Sequence, residues 1–473
     1  MSISKPLLRY GGFVLSATTA RIVGTLLTAA TFPYLVRRLG VEVYGLWSYV
    51  VAVCAFTGLI ANPGLTTYLA QQVAARRTAA SEAVSDVLVL RGLASGVAAV
   101  AVLIVARFEV RPDVRLLLEF YGVASVVIGS MSLDFLLPSM EFFYLQSFVS
   151  IAQQSLYAAG IFIFVRSPRD VVWVPISILG SSLLTSVVGW VALGRAGFRF
   201  RLSIAPRRWV AILGPSLHYA GSSLMSSLYH RSGHLAVRWY LGEHALGLYA
   251  AATRLADVLR NFLSVIQSVL MPRMALRADS PESMARLTRI AASVLALFGV
   301  PLAVGGIVTA PIVVPWLLGS QLQEAARAFE WVAPYLVTAP AAALFAGTIL
   351  YASGRHRAYL LSTLVGAVTA IALYAVLPPF FGIAGACVAF VLGELGVAVS
   401  AFLLCPPSVR AAANTPLLGT AMIASLVMAA ALCVSLHIHL PPWGVVAMGC
   451  AVYFVSCGSI GHKLLKKEAQ GIS

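Results

Sequence analysis

A chain of 473 residues that is 60% hydrophobic and only 11% charged lies far below the roughly 25% charged residues of a soluble domain. Unbroken apolar runs such as residues 94–106 exclude the weakly alternating strands of a membrane β-barrel and leave a polytopic, all-α membrane protein. The formal charge of +16 does not mark a nucleic-acid binder, because the arginines cluster in short loops between apolar stretches, which is the positive-inside pattern.

Fourteen spans are predicted, at roughly 11–36, 43–70, 84–106, 115–138, 142–165, 171–194, 209–236, 247–271, 289–317, 327–352, 358–378, 383–405, 416–437 and 443–461. Each approaches the ~20 residues needed to cross a bilayer. The first follows Lys5 and Arg9 and has the outline of a signal peptide. It is too long for one, contains Arg21, and leads into Pro33-Tyr34-Leu35-Val36-Arg37-Arg38 rather than a small-residue cleavage site. It reads as a retained helix. Pro33, Pro63, Pro215, Pro334 and Pro340 fall inside spans, where helix bundles tolerate kinks. Loops on one side of the membrane, both termini included, carry nineteen lysines and arginines against nine on the other. That side is expected to be cytoplasmic. The richest loop, Gly194–Arg208, joins spans six and seven. It reads as a topology determinant between lobes, with anionic-lipid binding as the alternative.

The chain carries signs of a duplication. Leu39-Gly40, four residues, then Gly45-Leu46 recurs as Leu241-Gly242, four residues, then Gly247-Leu248. Tyr144-Leu145-x-Ser147 recurs as Tyr359-Leu360-x-Ser362. The matches share their order and nearly their offset, so two pseudo-symmetric six-helix lobes are expected, as parallel repeats around a central cleft. The N-lobe is 1–195, the basic inter-lobe loop 196–208 and the C-lobe 209–406. Residues 407–473 form two extra helices and a basic cytoplasmic tail. Gly40, Gly45, Gly242 and Gly247 are the gate and turn candidates.

Five arginines lie inside spans: Arg21, Arg91, Arg231, Arg254 and Arg260. A charge at mid-membrane costs about 2.5–3.5 kcal/mol on insertion scales. A hydrated cleft with an anionic ligand offsets that cost, and the planar guanidinium suits phosphate. All five are candidate phosphate-binding residues. Arg254, Asp257 and Arg260 follow at three-residue spacing in span eight, so an intramembrane ion-pair ladder is the competing reading. Asp257 and Glu394 are candidates for coupling to a proton or sodium gradient. His230 and His234 have i, i+4 spacing but no evident third ligand, and the six cysteines read as small buried hydrophobes. No metal site, catalytic motif or cofactor is expected.

At Phe32–Gly40 and Tyr44-Gly45 the sequence resembles the first-helix signature of polysaccharide flippases, in the multidrug/oligosaccharidyl-lipid/polysaccharide exporter superfamily. Asn62-Pro63-Gly64-Leu65 resembles their second-helix end, although an acidic residue is commoner where Asn62 stands. Leu241–Leu255 with Met271-Pro272-Arg273, and Tyr351-Ala352-Ser353-Gly354-Arg355, resemble later segments. The resemblance implies two six-helix lobes plus two helices, and an undecaprenyl-diphosphate-linked oligosaccharide moved between leaflets of the bacterial cytoplasmic membrane. It also implies that Arg21 and Arg254 hold the diphosphate. Membrane lipids, a polysaccharide polymerase and export machinery are the expected partners. A multidrug/cation antiporter of the same superfamily stays open as an alternative, as do a membrane enzyme such as a polymerase and a non-transporting scaffold.

Overall fold

Backbone in lipid must satisfy its own N–H and C=O groups within the segment, and apolar runs of this length do so as α-helices. The computed structural model describes residues 4–76, 81–201, 205–275, 281–351, 353–438 and 440–470, with no strand among them. Of the features read from the sequence, part of the Gly194–Arg208 loop and Ala352 lie outside the described residues.

The first helices are α1 (Ser4–Ala61), α2 (Leu65–Arg76) and α3 (Ser81–Arg107). Next, α4 (Pro112–Leu117) and α5 (Val123–Met131) are joined through a π-helical turn, Leu118–Gly122. They are followed by α6 (Phe143–Phe164), α7 (Trp173–Arg195) and α8 (Pro206–Ala275). The second half contains α9 (Pro281–Leu318), α10 (Gln323–Val332) and α11 (Tyr335–Ala342), the last continued by a wide turn, Ala343–Leu350. The chain closes with α12 (His356–Leu404), α13 (Pro407–Ala413), α14 (Pro416–His437) and α15 (Pro442–Gln470).

Three of these helices are too long to be single spans. The 58 residues of α1 would run about 87 Å if straight, against a hydrocarbon core of about 30 Å. Each long helix is broken at one glycine: Gly40 (φ 76°, ψ 173°) in α1, Gly242 (φ 84°, ψ −173°) in α8 and Gly382 (φ 60°, ψ −140°) in α12. These dihedrals belong almost solely to glycine. The chain doubles back at the α1 break. The rings of Phe32 and Tyr44 lie 6.0 Å apart, whereas twelve residues of straight helix would separate them by about 18 Å. Around Gly382 the two arms of α12 pack at backbone contact. A Cβ on Gly366 would lie 2.9 Å from the Gly393 carbonyl oxygen, and one on Gly393 would lie 2.7 Å from the Ala370 Cβ.

Taking each broken helix as two, and α4–α5 and the 49° bent α10–α11 pair as one each, gives fourteen helical segments among the described residues, in the order of the expected spans; α8 contributes the two that fall short of the length and apolarity test met by the others. The breaks at Gly40 and Gly242 have nearly the same dihedrals, so the sequence repeat is also a repeat of backbone conformation. Gly45 and Gly247 are buried helical residues; the first glycine of each pair makes the turn alone. The second span ends earlier than expected. Pro63 stops the helix, Gly64 turns with φ 73°, and Asn62 Oδ1 accepts the Thr66 N–H at 3.2 Å to start α2.

The chain packs as two compact units, 1–235 and 236–473. In the first, Leu65, Leu69, Leu133, Leu136, Leu137 and Leu193 centre a core that Trp209, Ile212 and Leu213 of α8 also join. Arg208 ties the same end of α8 to α3 through Glu82 at 2.9 Å and Asp86 at 3.2 Å. The start of span seven therefore packs with the first unit, and the boundary falls downstream of the inter-lobe loop. In the second unit, α14 and α15 pack together and onto α9 around Met428, Leu432 and Tyr453. Tyr453 donates its hydroxyl to the Leu297 carbonyl at 2.6 Å.

Candidate functional site

In the first unit, Arg21 stands exposed on the first arm of α1. A polar seam runs beside it toward α6. Gln154 Nε2 donates to Thr28 Oγ1 at 2.6 Å, Ser147 Oγ donates to Ser16 Oγ at 3.4 Å, and Thr25 Oγ1 donates to the Arg21 carbonyl at 2.8 Å. Hydroxyls and amides at this spacing let an apolar helix carry a charge without a wholly apolar surround. Arg231 is half-buried in α8, within electrostatic reach of Tyr121.

Arg91 has a different place. It is 4% exposed, and its guanidinium faces the end of α5. It donates to the Ser132 carbonyl at 2.8 Å, to the Gly129 carbonyl, and to Ser132 Oγ at 3.4 Å. It also lies over the Phe135 ring. Those carbonyls lose their helical partners where α5 stops, and Arg91 supplies them with donors. Its geometry is that of a helix-end clamp, which sets it apart from the exposed Arg21 with which the sequence grouped it.

In the second unit the charged ladder of span eight divides. Arg254 is exposed. Asp257 and Arg260 pair with each other at 3.6 Å, both about one-third exposed. Tyr335, at the start of α11, completes this group. Its hydroxyl donates to Asp257 Oδ1 at 2.8 Å, Arg260 lies over its ring, and its ring packs on Phe390 at 4.7 Å. Glu394, one helical turn beyond Phe390, is 3% exposed and within electrostatic reach of Tyr335. The two candidate coupling carboxylates thus share one tyrosine. Nearby, the hydroxyls of Tyr249 and Tyr374 meet at 3.0 Å, both fully buried. None of these tyrosines was singled out in the sequence, where a tyrosine in an apolar span carries no mark of its hydrogen-bond partner.

A family model described as "Polysaccharide biosynthesis protein" matches residues 13–276. No curated protein matches the chain. Among solved structures, the chain is similar to the lipid II flippase MurJ in an inward closed conformation. The two share 12% identity and a TM-score of 0.72, over 96% of this chain and 99% of that one. An inward-facing MATE multidrug resistance transporter of the MOP superfamily has 16% identity and a TM-score of 0.58, over 84% of this chain and 99% of its own. A MOP superfamily transporter from Pyrococcus furiosus, whose structure carries the description "reverse polarity of binding pocket", has 16% identity and a TM-score of 0.56, over 85% and 96%. At these identities the likeness is one of fold.

Proposed function

We propose that this chain, which belongs to the polysaccharide biosynthesis protein family, moves a polyprenyl-diphosphate-linked oligosaccharide across a bacterial cytoplasmic membrane. The observation that carries the reading is a pair of exposed arginines on membrane helices, Arg21 in one unit and Arg254 in the other, in a chain of that family. An arginine facing plain lipid is costly; one that meets a diphosphate is compensated by charge-assisted, bidentate hydrogen bonds. Arg231 and Arg260 are the further candidates for phosphate contacts, each within its own unit. The cycle is alternating access: diphosphate and sugars pass through the protein while the polyprenyl tail stays in lipid. With both termini cytoplasmic, one full cycle carries about two negative charges outward, down an inside-negative potential. Each charge gains roughly 2.3 kcal/mol per 100 mV. Asp257 and Glu394 are the carboxylates through which a proton or sodium gradient would couple. A polymerase and the export machinery would take the product onward.

The test is Arg21→Ala and Arg254→Ala, each with membrane expression checked. Loss of a charge-assisted phosphate contact is worth about 1.5–3 kcal/mol, so each variant is expected to lower surface polysaccharide output ten- to a hundredfold. Unchanged output in both overturns the reading in favour of a scaffold. A drug-sensitivity phenotype with normal polysaccharide overturns it in favour of the cation antiporter.

A further inference from the structure

Inside the first unit, between α5, α6 and α7, lies a cavity of about 260 Å³. Its walls are unusual for apolar membrane helices. Tyr121, Ser132, Asp134, Gln153, Ser182 and Thr185 all line it. A dry void between such helices would be lined by Leu, Ile and Phe.

The hydrogen-bond directions at this wall are biased. Ser132 Oγ already donates to the Gly129 carbonyl at 3.0 Å, and Thr185 Oγ1 to the Ser182 carbonyl at 2.9 Å. Gln153 Nε2 donates to Ser182 Oγ at 3.3 Å. With these protons engaged, the Ser132 and Thr185 hydroxyls offer lone pairs to the cavity, while Ser182, which accepts from Gln153, keeps its own proton to give. Among the described residues no donor reaches the Asp134 carboxylate within hydrogen-bond distance. The wall is therefore richer in acceptors than in donors, and a ligand must bring hydroxyls, which serve as both.

The charges decide what kind of donor. The Asp134 carboxylate does not stand alone, because the Arg91 guanidinium, bonded to the Ser132 and Gly129 carbonyls, balances it electrostatically. Arg231 lies within electrostatic reach of Tyr121 on another wall. A cation gains little net attraction there, and a uronate would meet a carboxylate. A neutral, hydroxyl-rich ring fits both the bonding and the charge. The volume lies just below the roughly 300–1,000 Å³ of drug-sized pockets, enough for one sugar ring and not for a whole repeat unit.

We propose that this cavity is a sugar-recognition subsite that holds one neutral or N-acetylated pyranose of the substrate, with Asp134 accepting its hydroxyls and Tyr121, Gln153 and Ser182 orienting it. This rests on the reading of the chain as a carrier of a lipid-linked oligosaccharide, and it assigns part of the substrate's selection to the first unit alone.

The test uses the full chain in lipid nanodiscs with two probes. Saturation-transfer NMR with a panel of methyl glycosides, covering neutral hexoses, N-acetylhexosamines and uronates, reads the subsite. Farnesyl diphosphate, which carries no sugar, reads the arginines. At least one neutral or N-acetylated glycoside is expected to bind. Asp134→Ala and Ser182→Ala should each weaken it about tenfold and leave farnesyl diphosphate binding within twofold, which also shows that the variants are folded. Arg21→Ala should do the reverse. Farnesyl diphosphate binding with no glycoside binding below 10 mM (roughly 2.7 kcal/mol of affinity) overturns the subsite alone, as does glycoside binding that ignores Asp134 and Ser182. A preference for uronates also overturns it. Failure to bind either probe overturns the transport reading with it.

Discussion

Arg91 shows how a buried charge can be legible and its role not. The sequence marks it as a cation inside a span. Its partners are the carbonyls of Gly129 and Ser132, and a backbone carbonyl leaves no trace in a sequence. Replacing it by methionine keeps the stem and removes the donors. Hydrogen bonds to charged groups are worth about 1.5–3 kcal/mol each, and the Ser132 carbonyl, left without its donor, adds to the loss. Arg91→Met is expected to lower stability to denaturant by about 2–4 kcal/mol while farnesyl diphosphate affinity stays within twofold. A large loss of affinity at unchanged stability would return Arg91 to the substrate site. Asp257 and Arg260 were legible as a pair because they lie three residues apart. Tyr335 was not, since it reaches Asp257 from 78 residues away.

At the scale of the element, the positions of the spans were readable because a bilayer imposes length and apolarity on each. Their joints were only partly readable. The repeated pair of glycines pointed to Gly40 and Gly242, but Gly45 and Gly247, which look equivalent in sequence, are helical. Only the dihedrals tell them apart. This difference can be measured against a glycine in regular helix, Gly96 of α3. A Cβ on Gly242 meets nothing within 4 Å, and neither does one on Gly96, so packing is not in play at either site. Gly242→Ala forces an alanine to φ 84° and is expected to destabilise by about 1–3 kcal/mol. Gly96→Ala, in regular helix, should be neutral or stabilising by about 0.5–1 kcal/mol. Equal melting shifts for the two would show that Gly242 is not conformationally required. The early stop at Asn62 escaped the sequence reading for a related reason: a proline in an apolar run is compatible with either a kink or an end, and Gly64 with φ 73° makes it an end.

For the whole molecule, an arginine excess in the membrane has an electrical consequence. A carrier that is cationic when empty and near neutral when loaded with a diphosphate moves net charge in the empty half of its cycle. In proteoliposomes of defined orientation, an inside-negative potential of 100 mV is expected to raise turnover severalfold, since each charge moved through the full field is worth roughly 2.3 kcal/mol. Turnover that ignores the imposed potential would overturn this electrical reading. The all-helical class and the duplication were legible from the sequence. The acceptor-rich cavity was not, because it is built from α5, α6 and α7 together, although Ser182, Thr185 and Ser186 recur at helical spacing along one span.

The single-glycine joints also bear on how the chain is made. The two arms of α1 meet at Gly40 with no loop between them, and those of α8 and α12 meet in the same way at Gly242 and Gly382. An arm that entered the bilayer first would have no slack with which to wait for its neighbour. For α1 and α12, whose arms pack on each other, the two arms are expected to enter the membrane together as a hairpin. An epitope or a protease site placed at any of these joints has no loop to occupy.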